Sequence, residues 1–400
     1  MMIEIHGAAF SNKGAQLMIR TVIDRVQQSL PEARFCLETA SDAQYPQLAE
    51  YGLHMLYPQA SYDRSRRMPY YLPLSSLAGR IIPSSFVRPF GLVRRQDTDA
   101  LIDISGYAFG DKFGVTKAQL FNQRAAQYRS RGKPVILLPQ MLGPFESQGF
   151  QPIMARMVSQ SSLLFARDRI SLDACRALLR EQASPIKLAP DITIFRSPGT
   201  RQVAMPEDPM RTVALVPNIR MLDKGDPRWK AEYVPRLTAA GKQILDRGLN
   251  LHIVIHETRG SDAKLGHQLS DAIDPNRVPV IQYQDPLDLK AYLGYCRFII
   301  ASRFHAVVGA LSSGVPALVI GWAHKYEMLL EDFGTPDTIH NASDPADHLL
   351  NHIDRLLDDS HRQHEHETLT RHKADMKPTN DHMWQQVFNT LQWHEPVEPS

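Results

Sequence analysis

The chain has 400 residues, 43% of them hydrophobic, and its 45 basic and 43 acidic side chains leave a formal net charge of +2. This length suits two domains of about 150–200 residues each, and the apolar fraction is too high for a disordered chain. A nearly neutral chain lacks the strong positive field that nucleic-acid binding uses, so we predict no nucleic-acid partner.

The sequence favours a cytoplasmic protein. Its three cysteines are far apart and form no CxxC pair, which predicts neither a disulfide framework nor a cysteine metal site. No apolar run approaches the roughly 18–20 residues that span a bilayer. The first ten residues, MMIEIHGAAF, contain an acid and no basic segment, so they predict a first strand and not a signal peptide.

Short apolar runs alternate with longer amphipathic stretches in the first half of the chain. This pattern predicts parallel strands that are covered by helices on both faces. The predicted strands are 2–7, 34–39, 100–106, 134–140, 163–168 and 186–191. The stretch AQLMIRTVIDRVQQSL at 15–30 predicts the first helix, and the proline and glycine residues of 196–210 are typical of a linker.

The same pattern restarts after the linker and predicts a second series of strands. These strands are 212–220, 251–257, 278–284, 297–303 and 316–322. Two series in tandem predict an α/β protein with two doubly wound Rossmann-like domains that face each other across a cleft. The expected bounds are an N-terminal domain at 1–195, the linker at 196–210, a C-terminal domain at 211–375, and a last helix and tail at 376–400.

Polar residues follow several predicted strands, at the edge where open α/β sheets bind ligands. Arg303 and His305 come at the end of the strand RFIIASR and at the start of a helix, where the guanidinium, the backbone amides and the helix dipole favour an anion. The other candidate binding residues follow other strands in the same way and are Asn12, Lys13, Gln140, Arg167, Asn218, Arg220 and Lys325.

Each candidate also has a purely structural interpretation, which the sequence leaves open. Arg303 could form an ion pair between the domains, with the nearby histidine hydrogen-bonded inside the fold. Arg167 could pair with Asp168 or Asp191, and Arg220 could equally have only a structural role. The two lysines could be solvated residues at ordinary helix starts.

Residues 61–95 depart from the alternating pattern, because they contain seven arginines and only one acid, with aromatic residues between them. Insertions of this length are often functional. A basic and partly apolar segment suits an anionic membrane surface, so we predict peripheral contact with the inner membrane. The alternative is a structured loop whose arginines pair with acids of the fold.

Two patterns look like metal sites, but neither favours one. The sequence DTD at 97–99 matches the DxD pattern of metal-dependent sugar transferases, yet it precedes its strand, so we predict a plain loop. His361, His364 and His366 lie in a strongly charged stretch that predicts a solvated helix face. We therefore predict no metal and no cofactor.

The block SRFHAVVGALSSGVPALVIGW resembles the signature of the polysaccharide pyruvyl transferase family. Further stretches resemble other blocks of that family in the same order: GAAFSNKGAQLM, LIDISGYAFGD, ILLPQMLGPF, FARDRIS and LAPDITI. The resemblance covers about residues 1–330. The opening turn SNKGAQ departs from the N-x-G-D/A-x-x pattern of many members, which bears on any role for Lys13.

The resemblance implies a two-domain fold like that of GT-B glycosyltransferases, with the acceptor on the N-terminal side and the donor on the C-terminal side. It also implies a transferase that uses phosphoenolpyruvate as donor. The implied acceptor is a sugar of a surface polysaccharide, such as an exopolysaccharide, or of its lipid-linked precursor. By position, Arg303 and His305 match the family's donor-binding residues, and Arg167 matches the arginine of its A-R-D/E block.

The residues suit this chemistry, because a carboxylate and a phosphate require several cations, which the arginines and lysines supply. A histidine can donate or accept protons near neutral pH. We predict that His305 protonates either C3 of the donor or the leaving phosphate. Two other functions fit the same cleft: a nucleotide-sugar glycosyltransferase of GT-B fold, and a non-enzymatic sugar-binding relative that would tolerate the loss of Arg303.

Overall fold

The computed structural model describes residues 1–38, 45–56, 83–199, 205–257, 261–321 and 324–392. The chain divides into two compact units. Unit 1 consists of residues 1–10, 18–189 and 381–400, and unit 2 consists of residues 11–17 and 190–380. None of the helices that the structure describes has the length and apolar character that crossing a bilayer requires.

Unit 1 is built on a parallel sheet whose described strands have the order β4-β3-β2-β1-β5-β6-β7-β8. The strands are β1 (Met2–His6), β2 (Arg34–Leu37), β3 (Leu53–Leu56), β4 (Leu92–Val93), β5 (Ala100–Asp103), β6 (Val135–Gln140), β7 (Leu163–Ala166) and β8 (Ile186–Leu188). The strand order reverses between β1 and β5, where His6 lies beside Asp103 in the register. Ligands of such sheets bind beyond the carboxyl ends of the strands at this reversal.

Helices pack against this sheet because its central strands are apolar on both faces. Every residue of β5 and of β6 is buried, which explains their unbroken apolar sequences. The described helices in this part of the chain are α1 (Lys13–Ser29), α2 (Tyr45–Glu50), α3 (Ser84–Val87), α4 (Gly114–Arg129), α5 (Phe150–Gln160) and α6 (Arg169–Leu179). The first turn of α1 belongs to unit 2 and the rest to unit 1.

Unit 2 contains a second parallel sheet, whose described strands have the order β11-β10-β9-β12-β13-β14. They are β9 (Thr212–Val216), β10 (Asn250–Ile255), β11 (Val280–Gln282), β12 (Phe298–Ala301), β13 (Ala317–Ile320) and β14 (Ile339–His340). The strand order of this sheet reverses between β9 and β12. Two separate apolar clusters cover the two faces of the sheet.

Helices supply the outer layers of unit 2. The described ones are α7 (Arg220–Lys224), α8 (Trp229–Asp246), α9 (Ser261–Ile273), α10 (Pro286–Tyr295), α11 (Phe304–Leu311), α12 (His324–Asp332), α13 (Ala346–Leu357) and α14 (Asp359–Gln392). The helix α11 is almost wholly buried, and its small residues let it lie close to the sheet. The last helix starts at Asp359, before the range 376–400 in which a last helix and tail were expected, and its C-terminal part belongs to unit 1.

The predicted fold class is confirmed, since both units are parallel α/β sheets with helices on them. Every predicted strand overlaps an observed one, whereas β3, β4 and β14 were not predicted. The chain passes from unit 1 to unit 2 between Ala189 and Pro190. The domain bounds expected from the sequence, and the acceptor and donor sides, stay predictions.

Candidate functional site

Arg303 lies at the order reversal of unit 2, directly before α11. Its guanidinium is nearly buried, and it donates to Asp262 Oδ2 at 2.8 Å through Nε and to Glu257 Oε2 at 2.5 Å through Nη2. Burial opposes the charged form, but the hydrogen bonds and charges of the two carboxylates outweigh it and raise the pKa of Arg303.

This ion-pair cluster changes the expectation for Arg303. Both carboxylates belong to unit 2, so the ion pair lies within one unit and the interdomain alternative is wrong on that point. One cation between two anions leaves the cluster with a net charge of −1. In this arrangement Arg303 fixes the start of α11, and the cluster as a whole disfavours an anion.

His305 lies in the first turn of α11 with 16% of its side chain exposed. The imidazole packs directly on Gly14, where a Cβ atom would come within 2.1 Å of Nδ1. Its Nε2 atom lies 3.8 Å from Asp191 Oδ2. Three separate segments of unit 2 therefore position the ring, which explains why glycine stands at the start of α1.

Basic residues surround His305 at a small cavity of unit 2. Lys13, His256 and Lys290 line it together with His305. Its volume is about 10 Å³, which is room for about one water molecule. The cavity is therefore too small for phosphoenolpyruvate in this conformation, although its charge suits an anion.

The two lysines of this cavity are buried and donate to backbone carbonyls. Lys13 Nζ donates to the carbonyl oxygen of Gln284, and Lys290 Nζ donates to that of Thr193 at 2.6 Å. Lys13 is thus not the surface lysine of the structural alternative. Burial, with the charge of Lys373, lowers the pKa of Lys290 to about 7.

His256, which lines the same cavity, is kept neutral. Burial lowers the pKa of His256 well below its usual range, and the charges of Arg303, His305 and Lys13 add to this effect. Among the described residues no hydrogen-bond partner faces Nδ1 of His256, although this atom is buried. The cavity therefore holds a neutral imidazole with an unused nitrogen beside two amines.

Lys325 lies near the same helix start. Its Nζ atom is 5.3 Å from the ring centre of Phe304 and 5.2 Å from that of Tyr326, which are cation–π distances. Because Phe304 is the first residue of α11, the ammonium group of Lys325 lies near the N-terminus of that helix.

The remaining candidates of unit 2 have clear structural partners. Asn12 Oδ1 accepts from the amide of Gly14 and so caps α1. Asn218 Nδ2 donates to the carbonyl of Ser302 at 2.8 Å, which ties the ends of β9 and β12 together. Arg220 forms an exposed ion pair with its helix neighbour at 2.6 Å, an interaction that contributes little.

Gln140 and Arg167 lie in unit 1 at neighbouring strand ends. The amide of Arg167 donates to the carbonyl of Gln140 at 2.8 Å. The Gln140 side chain is fully buried and donates to Asp103 Oδ1 at 2.6 Å. Asp168 Oδ1 accepts from the amide of Ser171 and so caps α6. These contacts place both candidates beside the order reversal of unit 1.

Sequence reasoning missed the residues that stand at this reversal. Nδ1 of His6, the last residue of β1, lies at hydrogen-bond distance from Oδ2 of Asp103, the last residue of β5. A cavity of about 340 Å³ lies beside them. The available signal was a polar residue at the end of each of two predicted strands. The sequence does not show that these two strands are neighbours, because that follows only from the strand order of the sheet.

The structure describes part of the arginine-rich segment, and residues 61–82 lie outside the described ranges. Arg94 pairs with Asp97 at 2.8 Å, and Arg95 contacts the buried carboxylate of Glu4 at 3.1 Å. These two arginines therefore follow the alternative interpretation, in which the segment pairs with acids of the fold. The DTD stretch carries ion pairs of this kind, in agreement with a plain loop.

Solved structures with a similar fold place the chain in a broad structural class. A Staphylococcus aureus MnaA structure with UDP has a TM-score of 0.61 at 12% identity and covers 100% of this chain and 99% of its own. A Neisseria meningitidis UDP-GlcNAc 2-epimerase bound to UDP-GlcNAc has a TM-score of 0.57 at 11% identity, with 97% and 100% covered. The calicheamicin glycosyltransferase CalG4 has a TM-score of 0.50 at 12% identity, with 100% and 99% covered. The fold is that of GT-B glycosyltransferases and related epimerases.

Sequence comparison narrows this class to one family. The sequence model of the polysaccharide pyruvyl transferase family matches residues 12–324. The chain belongs to this family, as the resemblance of its SRFHA block predicted. It is 23% identical over 255 residues to the amylovoran biosynthesis protein AmsJ of Erwinia amylovora, and the match spans 60% of each chain.

Proposed function

We propose that this protein transfers the pyruvyl group of phosphoenolpyruvate to a saccharide and forms a ketal. The observation that carries the proposal is the position of the SRFHA block. It forms a strand end and a helix start, with His305 beside two lysines at the order reversal of unit 2. Two amines and an imidazole suit the carboxylate and the phosphate of the donor, because charge-assisted hydrogen bonds are the strong ones.

The reaction requires two hydroxyl groups and two proton transfers. One hydroxyl oxygen bonds to C2 of the donor while C3 gains a proton and becomes a methyl group. The bond between C2 and the phosphate oxygen then breaks, and the second hydroxyl oxygen bonds to C2. The two hydroxyl groups lose two protons. C3 gains one proton and the phosphate leaves with the other, so atoms and charge balance.

In this proposal His305 donates the proton to C3 or to the leaving phosphate. Lys13 and Lys325 contribute positive charge to the donor, and Arg167 contributes as the family block implies. Arg303 positions the start of α11 through Asp262 and Glu257. The donor requires the cavity of unit 2 to widen, since in this conformation it holds about one water molecule.

Thermal unfolding with phosphoenolpyruvate, UDP or GDP tests the donor. A ligand at 100 times its dissociation constant stabilises the native state by about 2.7 kcal/mol. We expect stabilisation by phosphoenolpyruvate alone, and the same in a His267→Gln control, which changes an exposed histidine of α9. Stabilisation by UDP or GDP without phosphoenolpyruvate would instead favour a nucleotide-sugar glycosyltransferase.

The acceptor side of the proposal concerns a lipid-linked saccharide at an anionic, cytoplasmic membrane surface. Phe86 and Phe90 are 69% and 71% exposed on either side of the exposed Arg88. Exposed aromatic rings beside a cation suit a headgroup layer. This part of the arginine-rich segment supports the membrane contact, whereas Arg94 and Arg95 are used inside the fold.

Vesicle sedimentation tests this contact. Wild type should bind vesicles of phosphatidylglycerol and phosphatidylcholine at low salt, bind pure phosphatidylcholine poorly, and dissociate as salt rises. The triple variant Phe86→Ser/Arg88→Gln/Phe90→Ser should lose this binding, and a Met205→Ser control at another exposed apolar site should keep it. Equal binding by the triple variant and wild type would contradict the assignment.

A further inference from the structure

The order reversal of unit 1 carries a polar network that the preceding proposal does not use. His6 ends β1 and Asp103 ends β5, and the two strands are neighbours in the sheet. A cavity of about 340 Å³ lies over these strand ends, within the size range of small-ligand sites. Its lining includes His6, Ser105, Tyr107 and Lys117, and the rest of the lining is mainly apolar.

The surroundings of Asp103 define its chemical form. Asp103 is fully buried. Its Oδ1 accepts from Gln140 Nε2 at 2.6 Å and from the amide of Ser105 at 3.0 Å, and its Oδ2 accepts from the hydroxyl of Ser105 at 2.9 Å and contacts Nδ1 of His6. The two N–H groups can only donate, so Oδ1 of Asp103 is an acceptor. Four polar groups around one carboxyl group fit the ionised carboxylate, and Nδ1 of His6 then donates to it.

This network selects the tautomer of His6. Because Asp103 accepts at Nδ1, the ring carries its proton there, and the neutral imidazole has its lone pair on Nε2. In the described part of the chain no hydrogen bond involves Nε2 of His6, and 25% of the side chain is exposed. A histidine with a buried carboxylate behind Nδ1 and an accessible Nε2 is the arrangement of a general base.

The backbone is adapted to this pairing. Gly7 has a φ of +81°, and a Cβ atom there would lie 2.2 Å from Ser105 Oγ and 2.7 Å from its backbone. Only glycine allows the two strand ends to approach this closely. The close approach places the hydroxyl of Ser105 on Asp103.

The lining of the cavity indicates its ligand. Tyr107, Phe109 and Leu120 supply an apolar wall, while His6, Ser105 and Lys117 supply polar groups. The carboxylate of Asp103 behind His6 and the ammonium group of Lys117 have opposite charges, so the lining does not select an anion. A neutral ring with apolar faces and hydroxyl edges satisfies both halves of the lining, and such a ring is a sugar.

We propose that this cavity binds a sugar ring of the acceptor and that His6 takes the proton from one of its hydroxyl groups, with Asp103 as a positioning residue. This inference rests on the proposed pyruvyl transfer. As the hydroxyl oxygen forms its bond to C2 of the donor, its O–H bond breaks and the proton moves to Nε2. His6 then releases the proton to water, and the overall proton count is that of the pyruvyl transfer described above, so no further reactant is required.

Kinetics with p-nitrophenyl glycosides of glucose, galactose, mannose and N-acetylglucosamine as probes test the base. Formation of the pyruvyl ketal is followed by mass spectrometry. His6→Gln should lower kcat by about 10²–10⁴-fold. Asp103→Asn should lower kcat strongly with little change in KM, since the analogous change in a serine protease triad costs about 10⁴-fold through the wrong tautomer. A His54→Gln control on β3 should keep wild-type kcat.

Nuclear magnetic resonance of isotope-labelled histidine tests the inference without turnover. The resonances of His6, assigned through His6→Gln, should report the Nδ1–H tautomer in wild type and a different tautomer in Asp103→Asn. A glycoside probe should shift the His6 resonances and leave those of His54 unchanged. An Nε2–H tautomer in wild type, or no shift with any probe, would overturn the inference.

The two proposals fail in different ways. If phosphoenolpyruvate neither binds nor is consumed while a glycoside shifts the His6 resonances, pyruvyl transfer is wrong and the sugar site stands. If the ketal forms and His6→Gln retains more than a tenth of the wild-type kcat, pyruvyl transfer stands and the base assignment is wrong. Retained stabilisation of both variants by phosphoenolpyruvate excludes misfolding as the cause of lost turnover.

Discussion

Replacing Arg303 with methionine should lower the free energy of unfolding of the protein. The guanidinium is the shared partner of two carboxylates, and one of them, Asp262, is 1% exposed. Removing one partner of a buried ion pair costs about 3–5 kcal/mol, because the other charge stays buried without compensation. Since whole domains are stable by only about 5–15 kcal/mol, this loss is a large share of the total.

Urea unfolding followed by circular dichroism measures this cost. We expect Arg303→Met to lose about 3–5 kcal/mol and the double variant Asp262→Asn/Arg303→Met to recover much of it, because the double variant buries a neutral amide. Asp262 Oδ1 also accepts from the amide of Ile219 at 3.0 Å, and an asparagine oxygen can keep that bond. A loss of less than about 1 kcal/mol in Arg303→Met would refute the view of Arg303 as the centre of this cluster.

The single variant Asp262→Asn separates the two roles of Arg303. The sequence prediction assigns the donor to Arg303, so removal of a competing carboxylate should then tighten phosphoenolpyruvate binding. If Arg303 only positions α11, the donor affinity should change little. Titration calorimetry distinguishes these results, and it avoids the folding defect that Arg303→Ala would introduce into the same measurement.

Three further predictions follow from buried contacts. Glu4, fully buried against two arginines and a tyrosine, should cost about 3–5 kcal/mol of stability when changed to glutamine, measured by urea unfolding. Burial lowers the pKa of Lys290 to about 7, so between about pH 7 and 10 the unfolded chain binds one proton more than the folded chain. The free energy of unfolding should therefore rise with pH by up to about 1.4 kcal/mol per pH unit, and Lys290→Met should flatten this slope. Gly14→Ala should displace His305 and lower kcat about 10²-fold, whereas Gly309→Ala, whose Cβ would meet an ordinary contact at 3.6 Å, should keep it.

The fold could be predicted because its central strands have unambiguous sequences. The strands β5, β6 and β12 are buried on both faces, so their apolar runs are continuous and end at polar residues. The strand β3 was missed because its four residues include His54 and are only partly buried. The strand β14 was missed because it contains two residues, too few for any periodicity.

The candidate site could be predicted only where it is local in sequence. Arg303 and His305 were placed correctly at a strand end and helix start, because strand, cation and small-residue helix are contiguous. Their partners come from other segments: Asp262 starts α9, and Gly14 starts α1. Neither contact can be recognised from the residues next to Arg303 in the sequence. The sequence therefore could not distinguish an anion site from an ion-pair cluster at Arg303.

Charge explains why the two order reversals suit different ligands. At the reversal of unit 2, two lysines and His305 share a cavity with a neutral His256, so an anion gains attraction once the cavity opens. At the reversal of unit 1 the buried group is the carboxylate of Asp103, which contacts Nδ1 of His6, and Lys117 lines the same cavity. Under the two proposals, the basic cavity of unit 2 suits the anionic donor, and the mixed polar and apolar cavity of unit 1 suits a sugar. This division is the same as the one that the family resemblance implies for the two halves of the chain, and Asp103, Lys13 and His305 all lie in the blocks that carry that resemblance.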